Sequence, residues 1–203
     1  MTTDFIKNNL SMLGFESKQD MIEKLYLKSI VDSYNRIDKV ISIENDIRDR
    51  FVKDIIRDAT SPLYGWLQLK LIRIHWEICT FTDSDDLGRM DLSFETHGFD
   101  FIVECKRLKG YSKKYFDEGL MRFIELKYAK GDDYAAMMGF VVDGDRKNIL
   151  AALKKNSLKY SSIDSLFAKE VFPYTEDGFK GSHLRTDDTI VNIYNVLFDF
   201  KEA

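Results

Sequence analysis

The stretch from Met90 to Leu108 constrains this chain most. Met90–Glu95 and Phe99–Leu108 read as two strands joined at His97-Gly98, a tight-turn pair. Successive side chains on a strand face opposite ways. Phe99, Phe101, Val103 and Cys105 therefore point to one side, into a core, while Asp100, Ile102, Glu104 and Lys106 point to the other. An acid and a base side by side near the end of an apolar strand are costly to bury unless they are used. A hairpin closed at His97-Gly98 sets Asp91 opposite Glu104, where side chains of one face meet. Asp100 shares that face but lies about 13 Å from Glu104 at strand rise, too far to share one ion with it directly.

The flanks supply the layers that such a hairpin needs. Met21–Ile41 carries apolar residues at helical spacing, and a second helix is expected from Ser42 to about Asp58, with Ile47, Phe51 and Ile55 as its inner stripe. Glu44 shares that face, although an acid in a first turn also complements the helix dipole. Arg48, one turn on, is placed to pair with Glu44. Ser61-Pro62 and Gly65 mark a break, Leu69–Phe81 reads as a strand, and Asp83–Gly88 as an acidic turn. After the hairpin come a helix over Tyr115–Lys130, a buried strand over Tyr134–Val142, a helix over Asp145–Asn156 and a last strand over Thr189–Phe200. Ser161–Asp188 is the least regular part. This order predicts an α/β sandwich: a mixed central sheet flanked by helices.

With 203 residues, 44% of them hydrophobic, the chain can build one full core. The division expected is a single domain over 1–203: a helical extension at 1–41, a core at 42–143 and closing elements at 144–203. The net charge of -4 excludes a uniformly basic nucleic-acid coat but not a local basic groove. His75, His97 and His183 are scattered, and Cys79 and Cys105 sit in apolar runs, so a zinc cluster is not expected. No GxxxxGK[ST] phosphate loop occurs, and no Ser or Cys nucleophile with a paired His is legible. No secretory leader is visible in MTTDFIKNNL, and no apolar run reaches membrane-span length, so the expected location is the cytoplasm, with no membrane partner.

Gly88-Arg-Met-Asp91 followed by Phe99-Asp-Phe-Ile-Val-Glu104-Cys-Lys106 resembles the PD-(D/E)XK nucleases, the restriction-endonuclease-like superfamily. The matching pieces are Asp91 near the start of one strand and Glu104-Cys105-Lys106 late on the next, over roughly residues 42 to 143; Met90 stands where the motif name has Pro. The resemblance implies a restriction-endonuclease-like core and a metal-dependent nuclease, with DNA as the expected substrate and 5′-phosphate and 3′-hydroxyl products. Asp91 and Glu104 would chelate Mg²⁺, or Mn²⁺ in its place, through hard oxygens, with the Cys105 carbonyl as a further ligand. Lys106 would position the attacking water and offset transition-state charge. The resembling enzymes often add a carboxylate from the preceding helix, here Glu44.

The basic run Lys106-Arg107-Leu-Lys109-Gly-Tyr-Ser-Lys113-Lys114 leaves this site directly, and Arg122 and Lys127 on the next helix are further candidates for phosphate contacts. His183 and Arg185 are candidates from the segment before the last strand. The resemblance also implies a setting in prokaryotic restriction or antiphage defence beside an ATPase or sensor subunit, and a homodimer would supply two active sites for two strands. Two other readings stay open: a catalytically inactive nuclease-fold subunit that binds nucleic acid or scaffolds a defence complex, and an unrelated α/β protein whose acid-x-Lys is surface decoration.

Overall fold

The computed structural model describes residues 3–81, 87–160 and 174–200. One six-stranded mixed sheet, in the order β1-β2-β3-β4-β6-β5, separates two helical layers. Its strands are β1 (Ile72–Phe81), β2 (Leu87–Thr96), β3 (Phe99–Leu108), β4 (Tyr134–Val141), β5 (Gly178–Leu184) and β6 (Ile190–Asp199). β1, β2 and β3 form an antiparallel meander; β3, β4 and β6 run parallel; and β5 closes the edge antiparallel to β6. The α/β class and the mixed sheet expected from the residue pattern are therefore present.

Strand β3 has the predicted bounds because its two faces have different work. Phe101, Val103 and Cys105 join a cluster with Tyr26, Ile47, Phe51 and Ile55, whereas Ile102 and Leu108 join a second cluster with Tyr115, Phe116, Leu120 and Phe123. The first layer holds α1 (Thr3–Met12), α2 (Lys18–Met21), α3 (Lys28–Arg36), α4 (Glu44–Arg57) and α5 (Pro62–Gln68). A π-helical turn, Ile22–Leu27, joins α2 to α3. Tyr26 from this turn stacks on Phe94 and Phe101 of the hairpin, at 4.7 and 5.9 Å between ring centroids. The N-terminal helices thus share the core of the sheet. The second layer holds the π-helical turn Phe116–Leu120, α6 (Met121–Ile124) and α7 (Arg146–Ser157).

Four local expectations change. The helix expected over Met21–Ile41 starts at Lys18, where Ser17 caps it, and stops at Arg36. The Ser61-Pro62 break begins a short helix, with Ser61 capping Leu63 N–H and Pro62 in the first turn. The helix expected over Tyr115–Lys130 ends at Ile124, because Leu126 and Ala129 adopt left-handed backbone and fold the chain back. Within the irregular segment, Gly178–Leu184 is a strand. Its sequence, GFKGSHL, hides this: two glycines and buried Lys180, Ser182 and His183 replace the expected apolar alternation. Residues 82–86, most of the expected acidic turn, and 161–173 lie outside the described residues. Among the described residues no helix is long and apolar enough to cross a membrane.

Candidate active site

The hairpin turn sets the register. Thr96 pairs with Phe99 across His97-Gly98, and pairing continues back to Leu92 with Val103. Gly98 has φ +112, a conformation other residues resist. The β2–β3 pairing ends at Leu92 and Val103, one residue short of Asp91 and Glu104. The β1–β2 register also passes over this level: Trp76 pairs with Leu92 and Ile78 with Met90, leaving out Glu77 and Asp91. Glu77 has φ +53, left-handed backbone in mid-strand. Asp91 therefore stands where β2 parts from both neighbours. Its carboxylate takes over the missing pairing, since Oδ2 accepts from the Cys105 N–H at 2.8 Å.

Glu104 is fully buried. Its Oε1 accepts from Lys106 Nζ at 2.6 Å and from Arg122 Nη1 at 2.8 Å. Its Oε2 is buried with no hydrogen-bond partner. Burial, then the charge of Asp91, pushes the Glu104 carboxyl up to about 7, against the pull of Lys106 and Arg122. Glu44, in the first turn of α4, accepts from the Arg107 N–H. The Cys105 thiol is pushed well up by burial and by the charges of Asp91, Glu104 and Glu44 around it. Three carboxylates thus converge on one short piece of β3, two of them bonded to its backbone.

Arg48 does not pair with Glu44, as helical spacing suggested. Its guanidinium, 1% exposed, reaches Glu77 Oε1 at 2.7 Å, Asp49 Oδ1 at 2.8 Å and Asp91 Oδ1 at 3.5 Å. Arg122, one of the expected phosphate contacts, stands at the site but holds Glu104. Tyr128 also takes part: its hydroxyl accepts from Arg122 at 2.9 Å and donates to the Arg89 carbonyl at 2.6 Å. Neither the Arg48–Glu77 nor the Arg48–Asp91 contact was identifiable from pattern, because both cross from helix to sheet.

The remaining basic candidates are dispersed. Lys113 and Lys114 are exposed and pair with Asp117 and Glu118 one turn on. Lys127 is exposed and pairs with Glu125; Lys109 is exposed after β3, and Arg107 is half-buried on the face opposite Glu104. His183 and Arg185, expected to reach substrate, are buried instead. His183 Nδ1 meets the Tyr160 carbonyl at 2.7 Å, and Arg185 donates to the Phe123 and Ala129 carbonyls at 3.1 and 2.8 Å. Unpaired backbone carbonyls at the end of α6 attract this cation more strongly than an open groove does. Arg185 thereby braces the bend that carries Arg122 and Tyr128.

Gly119 lets the π-helical turn approach this face of the sheet. A Cβ there would overlap the Met137 methyl and lie 3.5 Å from Lys106 Cε. Gly119→Val is expected to lose about 1–3 kcal/mol of stability through overpacking, read by urea denaturation.

Among the described residues no group of three or more His, Cys, Asp or Glu side chains is placed to hold one metal ion. The donors that do fit are oxygens: the unpartnered Glu104 Oε2 and Asp91 Oδ1, which Arg48 reaches at 3.5 Å while Oδ2 holds the Cys105 N–H. Two carboxylates, a backbone carbonyl and water suit a hard cation such as Mg²⁺, which keeps several waters when bound. Comparison with family models, with curated proteins and with solved structures returns no match for this chain.

Proposed function

We propose that this chain is a divalent-metal-dependent nuclease of the restriction-endonuclease-like class, acting on DNA. The observation that carries the reading is Glu104: a wholly buried carboxylate with one unpartnered oxygen, on the strand whose next backbone N–H, that of Cys105, is held by Asp91. A buried acid left in this state works against stability, so a ligand for that oxygen is the natural account of it. The element order around it, a helix, a three-strand meander, a helix and a parallel strand, supports the same class.

Asp91 and Glu104 would hold the ion, with the Cys105 carbonyl beside them. Once bound, a divalent cation supplies the Lewis acidity that acidifies water and stabilises charge on the phosphate. The chain's own groups do the rest. Lys106, 18% exposed, presents its ammonium at the rim of the site and donates to the scissile phosphate or the attacking water. The Asp91–Cys105 hydrogen bond keeps β2 and β3 at a fixed distance. Glu44, through the Arg107 N–H, ties the first turn of α4 to the same strand.

Lys106→Ala is expected to lower metal-dependent cleavage of plasmid and single-stranded DNA by about 10²–10³-fold while the fold persists. Unchanged cleavage would remove Lys106 from the mechanism. Absence of cleavage on DNA and RNA with Mg²⁺ and with Mn²⁺ would favour the second reading, a non-catalytic nucleic-acid-binding or scaffolding subunit. That reading draws support from the two cations already on Glu104 and from the lack of a three-ligand cluster among the described residues. In the nuclease reading a cytoplasmic homodimer, or an ATPase or sensor subunit, would bring two such sites to a duplex.

A further inference from the structure

Arg122 is used on one edge only. Nη1 donates to both Glu104 Oε1 and the Tyr128 hydroxyl, whereas Nε and Nη2 have no partner among the described residues. The guanidinium lies over the Tyr128 ring, 5.2 Å from its centroid, and its side chain is 35% exposed. Its mount is rigid. Tyr128 is tied to the Arg89 carbonyl, and Arg185 pins the carbonyls of Phe123 and Ala129 on either side of the bend. The structure thus presents an oriented guanidinium with one edge on a buried carboxylate and the other edge open. An open guanidinium edge is a two-pronged seat for a phosphate.

The same group competes with a cation. Glu104 Oε1 already receives Lys106 and Arg122, so a divalent ion approaching Glu104 meets two fixed positive charges. A phosphate on the open edge offsets the charge of Arg122 and draws it from Glu104. We infer that Arg122 couples the two ligands: it clamps Glu104 when no nucleic acid is present, and a backbone phosphate releases that clamp so that cation and phosphate bind with positive cooperativity. This rests on the metal-nuclease reading. Coupling is reciprocal, so the cation must tighten phosphate binding by the same factor.

The test measures binding rather than turnover. Mn²⁺ affinity is read from the free-ion EPR signal, with and without thymidine 5′-monophosphate, which has no diester to cut; the nucleotide's own Mn²⁺ binding is subtracted. In the wild type the nucleotide is expected to tighten Mn²⁺ by about 5–20-fold, within the usual range of allosteric coupling. Arg122→Gln is expected to bind Mn²⁺ several-fold more tightly without nucleotide, and to lose most of the enhancement. Loss of a nearby positive charge alone would raise cation affinity, so the loss of the nucleotide enhancement is the readout that a merely structural arginine would not move. Arg122→Lys keeps the charge but offers one point of attachment, so its Mn²⁺ affinity without nucleotide should match the wild type, with a reduced enhancement. If folded Arg122→Gln binds Mn²⁺ no more tightly than wild type, or if Arg122→Lys keeps the full enhancement, the coupling role is overturned while the nuclease reading stands. If wild type binds no Mn²⁺ with or without nucleotide, both fall together.

Discussion

Exchanging Glu104 for Gln is expected to abolish metal-dependent cleavage and, in the same variant, to make the metal-free protein more stable at pH 8. The second effect follows from the position of the acid. Glu104 is pushed up to about 7 in the fold from the usual 4.5, chiefly because it is buried and secondly by the charge of Asp91. A carboxyl raised in this way binds its proton more tightly folded than unfolded. Its contribution is therefore fully present below pH 4.5, declines as pH rises toward about 7, and is lost above it. The gap corresponds to about 3 kcal/mol between pH 4 and pH 8.

Glutamine has no charge to desolvate, so its stability curve lacks this slope. It still offers an oxygen to Lys106 and Arg122, which are exposed enough to rehydrate where the pairing weakens. Denaturant unfolding in EDTA at pH 5 and pH 8 separates Glu104 from other titrating groups, because only the difference between wild type and variant is read. The variant should gain on the wild type by about 2–3 kcal/mol between the two pH values. An equal difference at both would show that Glu104 is not held in an unfavourable charged state. Gain of stability with loss of cleavage marks a residue kept for chemistry, since ordinary core polar groups lose stability when altered.

How much of this was legible follows from the range of each interaction. Strand β3 and its register with β2 as far as Leu92 and Val103 needed only the alternation of Phe99 to Lys106 and the position of His97-Gly98, because register along a hairpin is counted in steps of one residue. Lys106 and Arg122 were recognisable as cations near the site, yet their shared partner, Glu104 Oε1, was not. That contact depends on where α6 stops, and α6 stops at a left-handed Leu126 that carries no glycine to announce it. Strand β5 was hidden for a different reason. Its buried Ser182 and His183 Nδ1 find polar partners and its Lys180 lies over the Tyr194 ring, so burial there is not written as hydrophobicity. The pairing of Arg48 with Asp91 spans 43 residues and two elements, and helical spacing favoured Glu44 instead.

Arg48 gives the largest expected loss of stability. Arg48→Met should lower it by about 3–5 kcal/mol, the usual result of removing one partner from a buried ionic group. The groups left behind are unequal. Asp49 and Glu77 are 35% and 42% exposed and can turn to water, whereas Asp91 is 8% exposed and keeps only the Cys105 N–H. Most of the loss should therefore trace to Asp91, even though its contact with Arg48, at 3.5 Å, is the longest of the three ion pairs. A double-mutant cycle resolves this. Asp91→Asn removes the stranded charge, so Arg48→Met combined with Asp91→Asn should recover more than half of the loss seen in Arg48→Met alone. Arg48→Met with Glu77→Gln should recover little, because Glu77 is already hydrated and its left-handed backbone persists in either case. The reverse ranking would place the anchor of Arg48 at the bend in β1 and would leave Asp91 free of it, available to a cation without any rearrangement of α4.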